Sequence, residues 1–213
     1  AAGRGAGGFG RRGGAGAAAG GAAGRGGGAG PRGAALRARA WAGSGAESPE
    51  VAAPLDFALG LWEGRERIPE WMPWIASVDV DAADPRLSRW VLRRTAFGQD
   101  FEFAWTSRNL AVLPAQSYKK IQWRSVEGSA AGVGVPGINI KNRGEVLLYP
   151  RGEDRCQVKL RIDYEVPAAL LPMTAAVDAL VGEILNTDME RFARLAEEEY
   201  RKSLGGPGAR EGA

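Results

Sequence analysis

The chain contains no histidine and a single cysteine, Cys156. Without imidazole there is no Ser–His or Cys–His nucleophile and no histidine to hold a metal. One cysteine excludes an internal disulfide. Cys156 also falls on the apolar side of an alternating stretch, where a small buried hydrophobe is expected rather than a reactive thiol. No apolar run reaches the roughly 18 residues a membrane-crossing helix needs. Acidic residues are missing from the first 46 positions, because the first carboxylate is Glu47.

That acid-free segment is rich in glycine and alanine and carries seven arginines: Arg4, Arg11, Arg12, Arg25, Arg32, Arg37 and Arg39. Its apolar bulk is too small to offset ordering entropy, so residues 1–46 are expected to be a disordered tail. Those seven charges exceed the net +3 of the whole chain, so the remainder is net acidic. The basic pI therefore gives no reason to expect nucleic acid on the folded part. An Arg-rich, acid-poor leader resembles an organellar transit peptide, with chloroplast favoured over mitochondrion. Two Arg-Gly-Gly triplets, at Arg12 and Arg25, leave an RNA-associated tail as an alternative. Residues 47–204 are expected to form one domain and 205–213 a disordered end.

What the chain does have is period. From Cys156 to Val166 the apolar positions Cys156, Val158, Leu160, Ile162, Tyr164 and Val166 alternate with polar ones. That is a strand with one buried face. After Pro167 the spacing changes to threes and fours through Met173, Val177, Leu180, Val181, Ile184, Leu185, Met189, Phe192 and Leu195. This is the stripe of a long amphipathic helix, ended by Gly205, Gly206 and Pro207. Upstream, Pro54–Trp62 reads as a short helix, with a second helical turn through Ile68–Trp71. Strands are expected at 75–80, 87–95, 100–112, 117–126 and 144–149, which with 156–166 makes six in hairpin order. Their short connections imply an antiparallel meander, bent around the helix that covers it. The fold class is α+β.

The order of these elements resembles the START-like helix-grip (SRPBCC) superfamily. So do the segments Ile68–Ile75 (IPEWMPWI), Trp123–Gly128 (WRSVEG), Asn142–Val146 (NRGEV), Tyr164–Pro167 (YEVP) and Asp188–Phe192 (DMERF). More narrowly they are similar to the polyketide cyclase/dehydrase and coenzyme Q-binding START-domain family. The resemblance covers about residues 52–201. It implies a hollow between sheet and helix that takes lipids, isoprenoid quinones, sterols or polyketides. Members of that family begin with a strand ahead of the first helix, for which only Ser48–Ala53 is available here.

Trp71 and Trp74 are candidates for a gate where the short helices meet the first strand. Phe101, Phe103, Trp105, Trp123, Ile162 and Tyr164 should face the long helix, with Val177, Val181 and Ile184 opposite, and are candidates for lining a cavity. Arg94 is the arginine best placed to turn inward and orient a carbonyl. Gly132–Gly137 matches the GxGxxG spelling. Pro136 and the segment after it open no helix, so it is a glycine-rich loop that could serve as a lid. Asp79, Asp81 and Asp84 lack the glycine and the terminal glutamate of a calcium loop. No catalytic constellation, metal site or cofactor is expected. The leading expectation is a carrier or chaperone of a hydrophobic small molecule, with transient membrane contact. The alternative is a cyclase or dehydratase using Tyr164 or Arg94.

Overall fold

A computed structural model of the chain describes residues 40–96, 99–111, 115–133, 141–166, 172 and 174–205. A strand, β1 (Ala40–Glu47), comes first, followed by α1 (Leu55–Glu63) and a 3₁₀ helix (Arg65–Glu70). Seven strands continue the chain: β2 (Ile75–Val80), β3 (Leu87–Ala96), β4 (Gln99–Asn109), β5 (Lys119–Ser125), β6 (Ala131–Val133), β7 (Asn142–Pro150) and β8 (Cys156–Val166). The last element is α2 (Thr174–Leu204). All strands join one antiparallel sheet in the order β1-β8-β7-β5-β4-β3-β2, with β6 pairing β4 off that path. The helices lie on one face, as α1 and α2 share a core with the inward residues of β7 and β8. A curved antiparallel sheet packed on a long C-terminal helix is the helix-grip architecture that the periodicities implied.

Local chemistry sets the ends of the elements. Pro54 precedes α1, where a missing N–H costs nothing, and its carbonyl accepts the Ala58 amide at 3.1 Å. Gly64 closes that helix by donating to the Gly60 carbonyl. Between β2 and β3, Asp81 accepts the amides of Ala83 and Asp84, a side-chain-built turn. Asp84 then accepts from Arg86 and from Arg108 on β4. These aspartates are thus turn builders.

The first strand corrects the sequence reading. The boundary expected between residues 46 and 47 falls inside a strand, one residue before its end. Ala40–Glu47 pairs with Val166–Lys159 over its whole length, while the Ser48–Ala53 stretch contributes only the bridge Val51–Cys156. The inward residues of β1 are Ala42, Ser44 and Ala46, all buried. They are small because α2 passes close: the Ser44 hydroxyl donates to the Asp178 carbonyl at 3.3 Å. The count of six strands is also too low, since among the described residues β1 and β6 bring it to eight. Residues 1–39, 97–98, 112–114, 134–140, 167–171, 173 and 206–213 lie outside the described residues, and with them most of the expected tail, Pro167, Met173 and most of the candidate lid.

Candidate functional site

The α2 stripe divides along its length. In the second half Met189, Phe192, Ala193 and Ala196 are buried. Phe192 meets Trp62 and Trp71 at ring-centroid distances of 5.2 and 5.4 Å, and the two indoles meet edge-on at 5.3 Å. This end is solid. Trp71 belongs to it: no part of Trp71 is exposed, and the cavity wall excludes it, so it packs the core and is not a gate. Trp71 caps the end of the 3₁₀ helix, its amide donating to the Ile68 carbonyl at 3.2 Å, whereas Trp74 follows Pro73 beyond that helix and reaches the cavity.

Beneath the first half of α2 the packing opens. A cavity of about 210 Å³ is lined by five of the protein's seven tryptophans, Trp62, Trp74, Trp90, Trp105 and Trp123. Met72, Ile75, Leu92, Leu160, Ile162, Val181 and Leu185 complete the apolar wall, and Asn142 and Tyr164 are its polar side chains. Register explains the grouping. Trp90 pairs with Trp105 across β3 and β4, and the rings stack at 6.1 Å with 15° between their planes. Trp123 pairs with Gly144, and the indole lies over that glycine. A β-carbon on Gly144 would collide with the Trp123 ring and sit 2.6 Å from the Arg161 carbonyl. The glycine is what lets the indole lie flat in the wall.

Three of the five indole N–H groups are held by side chains. Trp90 donates to Ser88 Oγ at 2.9 Å and Trp105 to Ser107 Oγ at 3.1 Å. Trp74 donates to Asp188 Oδ2 at 2.5 Å. None of these acceptors belongs to the cavity wall, so these three rings keep their donors occupied away from the space. Asp188 is wholly buried on α2, and its other oxygen accepts Arg191 at 2.9 Å. Burial raises its pKa, and the Trp74 and Arg191 donors oppose that shift. Trp74 is fixed as a partition. One side faces the cavity and the other a surface depression bounded by Pro73, Arg93, Leu180, Ile184, Thr187 and Arg191.

Tyr164 ties the roof down. Its hydroxyl donates to Asp178 Oδ1 at 2.5 Å, joining β8 to the first half of α2. Burial first, and then the Asp178 carboxylate, push the phenol up to about 12. Below the sheet's other end, Arg65 is buried with neutral partners, Ser88 Oγ at 3.0 Å and the Pro85 carbonyl, and burial lowers its pKa. Ser88 thus accepts from both Arg65 and Trp90.

Of the residues singled out from sequence, Trp74, Trp105, Trp123, Ile162, Tyr164 and Val181 meet at the cavity. Trp71 does not, as above. Ile184 borders the outer depression instead, and Val177 is half-buried beyond the cavity. The helical stripe is wider than the arc that faces the hollow. Phe103 pairs with Leu92 but does not reach the wall, and Arg94 pairs with Phe101, the side chains of these last two lying outside the described residues. Sequence reasoning passed over Trp62, Trp90, Leu92 and Asn142. The alternation of Trp90 and Leu92 about Val91 could have found the two on β3. Among the described residues no cluster of three or more His, Cys, Asp or Glu could hold a metal.

Residues 51–193 match the family described as polyketide cyclase/dehydrase and lipid transport. The chain belongs to this family. It is accordingly a START-like, SRPBCC-superfamily domain of the hydrophobic-ligand-binding helix-grip kind. Among curated proteins none matches it. A solved structure similar to it is DR_A0006 from Deinococcus radiodurans, 26% identical, with a TM-score of 0.50 over 74% of this chain and 99% of that one. The Zhui aromatase/cyclase from Streptomyces sp. R1128 is 18% identical, with a TM-score of 0.55 over 77% of this chain and 98% of that one. The di-domain aromatase/cyclase StfQ from the steffimycin biosynthetic pathway is 15% identical, with a TM-score of 0.52 over 78% and 52% of the respective chains. At 18% and 15% these two speak for the fold alone.

Proposed function

We propose that this domain is a non-catalytic carrier of a small, uncharged, ring-containing hydrophobic molecule held beneath the first half of α2. The observation that supports it most is the arrangement of the five indoles, three of which have their N–H groups satisfied away from the cavity. Such a wall attracts apolar and aromatic surface and offers little to a polar substrate. Size narrows the reading. An apolar cavity of roughly 150 Å³ already admits benzene. About 210 Å³ therefore suits a ligand of one or two rings, or the ring end of an isoprenoid quinone whose tail leaves past Trp74. Transfer of such a molecule from water or a bilayer is driven by desolvation.

A cyclase or dehydratase would need an acid presented to the substrate. Tyr164 has its hydroxyl proton committed to Asp178 and its pKa raised, which makes it a poor donor to a carbonyl in the cavity. The carrier reading is the stronger. The tail, we infer further, directs the protein to a plastid. A processing site would have to fall before Ala40, because cleavage further on removes the edge strand β1. Residues 1–39 fused to a fluorescent protein test that.

The ligand reading is tested by titrating the full chain with N-phenyl-1-naphthylamine and following energy transfer from tryptophan. Saturable binding is expected, and Val181→Trp, which fills the cavity from α2, should weaken it about tenfold or more with helix content unchanged, one tenfold step being about 1.4 kcal/mol. Equal affinity in the filled variant would sink the reading.

A further inference from the structure

The face of the sheet turned away from α2 carries a feature that the cavity does not use. Arg108 on β4, Arg124 on β5 and Arg143 on β7 stand in one transverse row, because Arg124 is the registered partner of both others. Directly opposed side chains in an antiparallel sheet are about 5 Å apart at Cβ, where like charges repel. The outer two are neutralised from beyond the row. Arg108 Nη1 lies 2.8 Å from Asp84, and Arg143 Nε lies 3.0 Å from Asp163 on β8. Arg124, between them, is exposed and has no ion pair among the described residues.

The row opens into a shallow depression lined also by Trp41, Val126 and Lys141. Its carboxylate, Glu127, is paired with Lys141 at 2.8 Å. Trp41 and Val126 are large hydrophobics left 49% and 36% exposed, and the Arg143 guanidinium lies 5.0 Å from the centroid of the Trp41 ring. An unpaired guanidinium between two others is a fork for phosphate oxygens. Exposed Trp and Val at the rim add what a free anion would not need and a lipid surface would use.

We propose that this depression receives the phosphate of an anionic phospholipid headgroup, with Trp41 and Val126 resting in the interface. The outer face of the sheet, opposite α2, is then the side the domain turns toward a bilayer.

The test is sedimentation of the full chain with vesicles of phosphatidylcholine alone or mixed with phosphatidylglycerol. It compares Arg124→Gln, Trp41→Ala and the charge-matched control Arg194→Gln on the exposed side of α2. Binding to the mixed vesicles only is expected. Arg124→Gln should lower it about fivefold, Trp41→Ala severalfold, and Arg194→Gln not at all, as one basic residue near an anionic surface contributes about that factor. All variants change exposed side chains, and circular dichroism confirms their folding. Equal losses for Arg124→Gln and Arg194→Gln would assign binding to charge in general, including the arginine tail, and overturn the proposal. So would vesicle binding indifferent to Arg124, or an Arg124-dependent affinity for RNA without affinity for vesicles.

Discussion

The two halves of α2 carry the same stripe and meet opposite surroundings. From Met189 to Ala196 the inward residues Met189, Phe192, Ala193 and Ala196 are buried against Trp62, Trp71 and the sheet. From Val177 to Ile184 they are only half-buried, and Leu180 is 52% exposed. The difference lies in what is underneath. One end rests on α1 and the 3₁₀ helix, whose aromatic rings fill the space. The other spans sheet indoles that stand apart and leave a hollow. A stripe at threes and fours therefore says that a helix is covered, and leaves open whether it is covered by protein or by a ligand.

The comparison can be broken first at its solid end. Phe192→Ala removes a ring that touches two indoles and should cost about 3–5 kcal/mol of stability, whereas Val181→Ala over the cavity should cost under about 1 kcal/mol, since an existing space is only enlarged. Denaturant midpoints of the two variants measure both. Similar losses would mean the two halves are packed alike.

Gly144→Ala comes next. Its new methyl group meets the Trp123 ring and the Arg161 carbonyl. Overpacking of this kind costs about 1–3 kcal/mol. Thermal unfolding should detect it, together with altered tryptophan fluorescence as that indole leaves the wall. An unchanged spectrum would contradict the role given to this glycine.

The smallest effect concerns Asp188. Burial raises its pKa above the ordinary 3.8, so the folded chain holds the proton more tightly than the unfolded one. Its contribution is most favourable below that ordinary value and is lost as pH rises through the folded one. Asp188→Asn keeps an oxygen for the Trp74 indole and removes the titration. The variant should show a flatter stability profile from about pH 4 upward. A profile identical to that of the parent would mean the carboxylate has the same pKa folded and unfolded.

How much of this was readable beforehand follows from chemistry in particular segments. Cys156–Val166 is a strand from end to end because large and polar residues alternate without exception. β1 escaped notice because its inward residues are Ala42, Ser44 and Ala46, small enough to let α2 approach and too small to mark a period. At Gly45 a β-carbon would lie 3.2 Å from the backbone carbonyl of Leu160, so glycine in a stretch that reads as a flexible tail eases the close approach of β1 to β8. The cavity was legible in part. Strand alternation identified Trp105, Trp123, Ile162 and Tyr164, but whether a ring leans into space or into a neighbour depends on register and on glycines across the ladder. Trp71 and Trp74 lie in the irregular step between the 3₁₀ helix and β2, a stretch with no period to read.

The claim on which the rest stands is that the space under the first half of α2 is dry, open and able to hold an apolar guest. A crystal of the protein pressurised with xenon tests it directly. The account predicts xenon density among Trp74, Trp90, Trp105, Trp123 and Val181, and none beside Phe192. A site filled by the protein's own rings, or xenon found only at the surface, would contradict it.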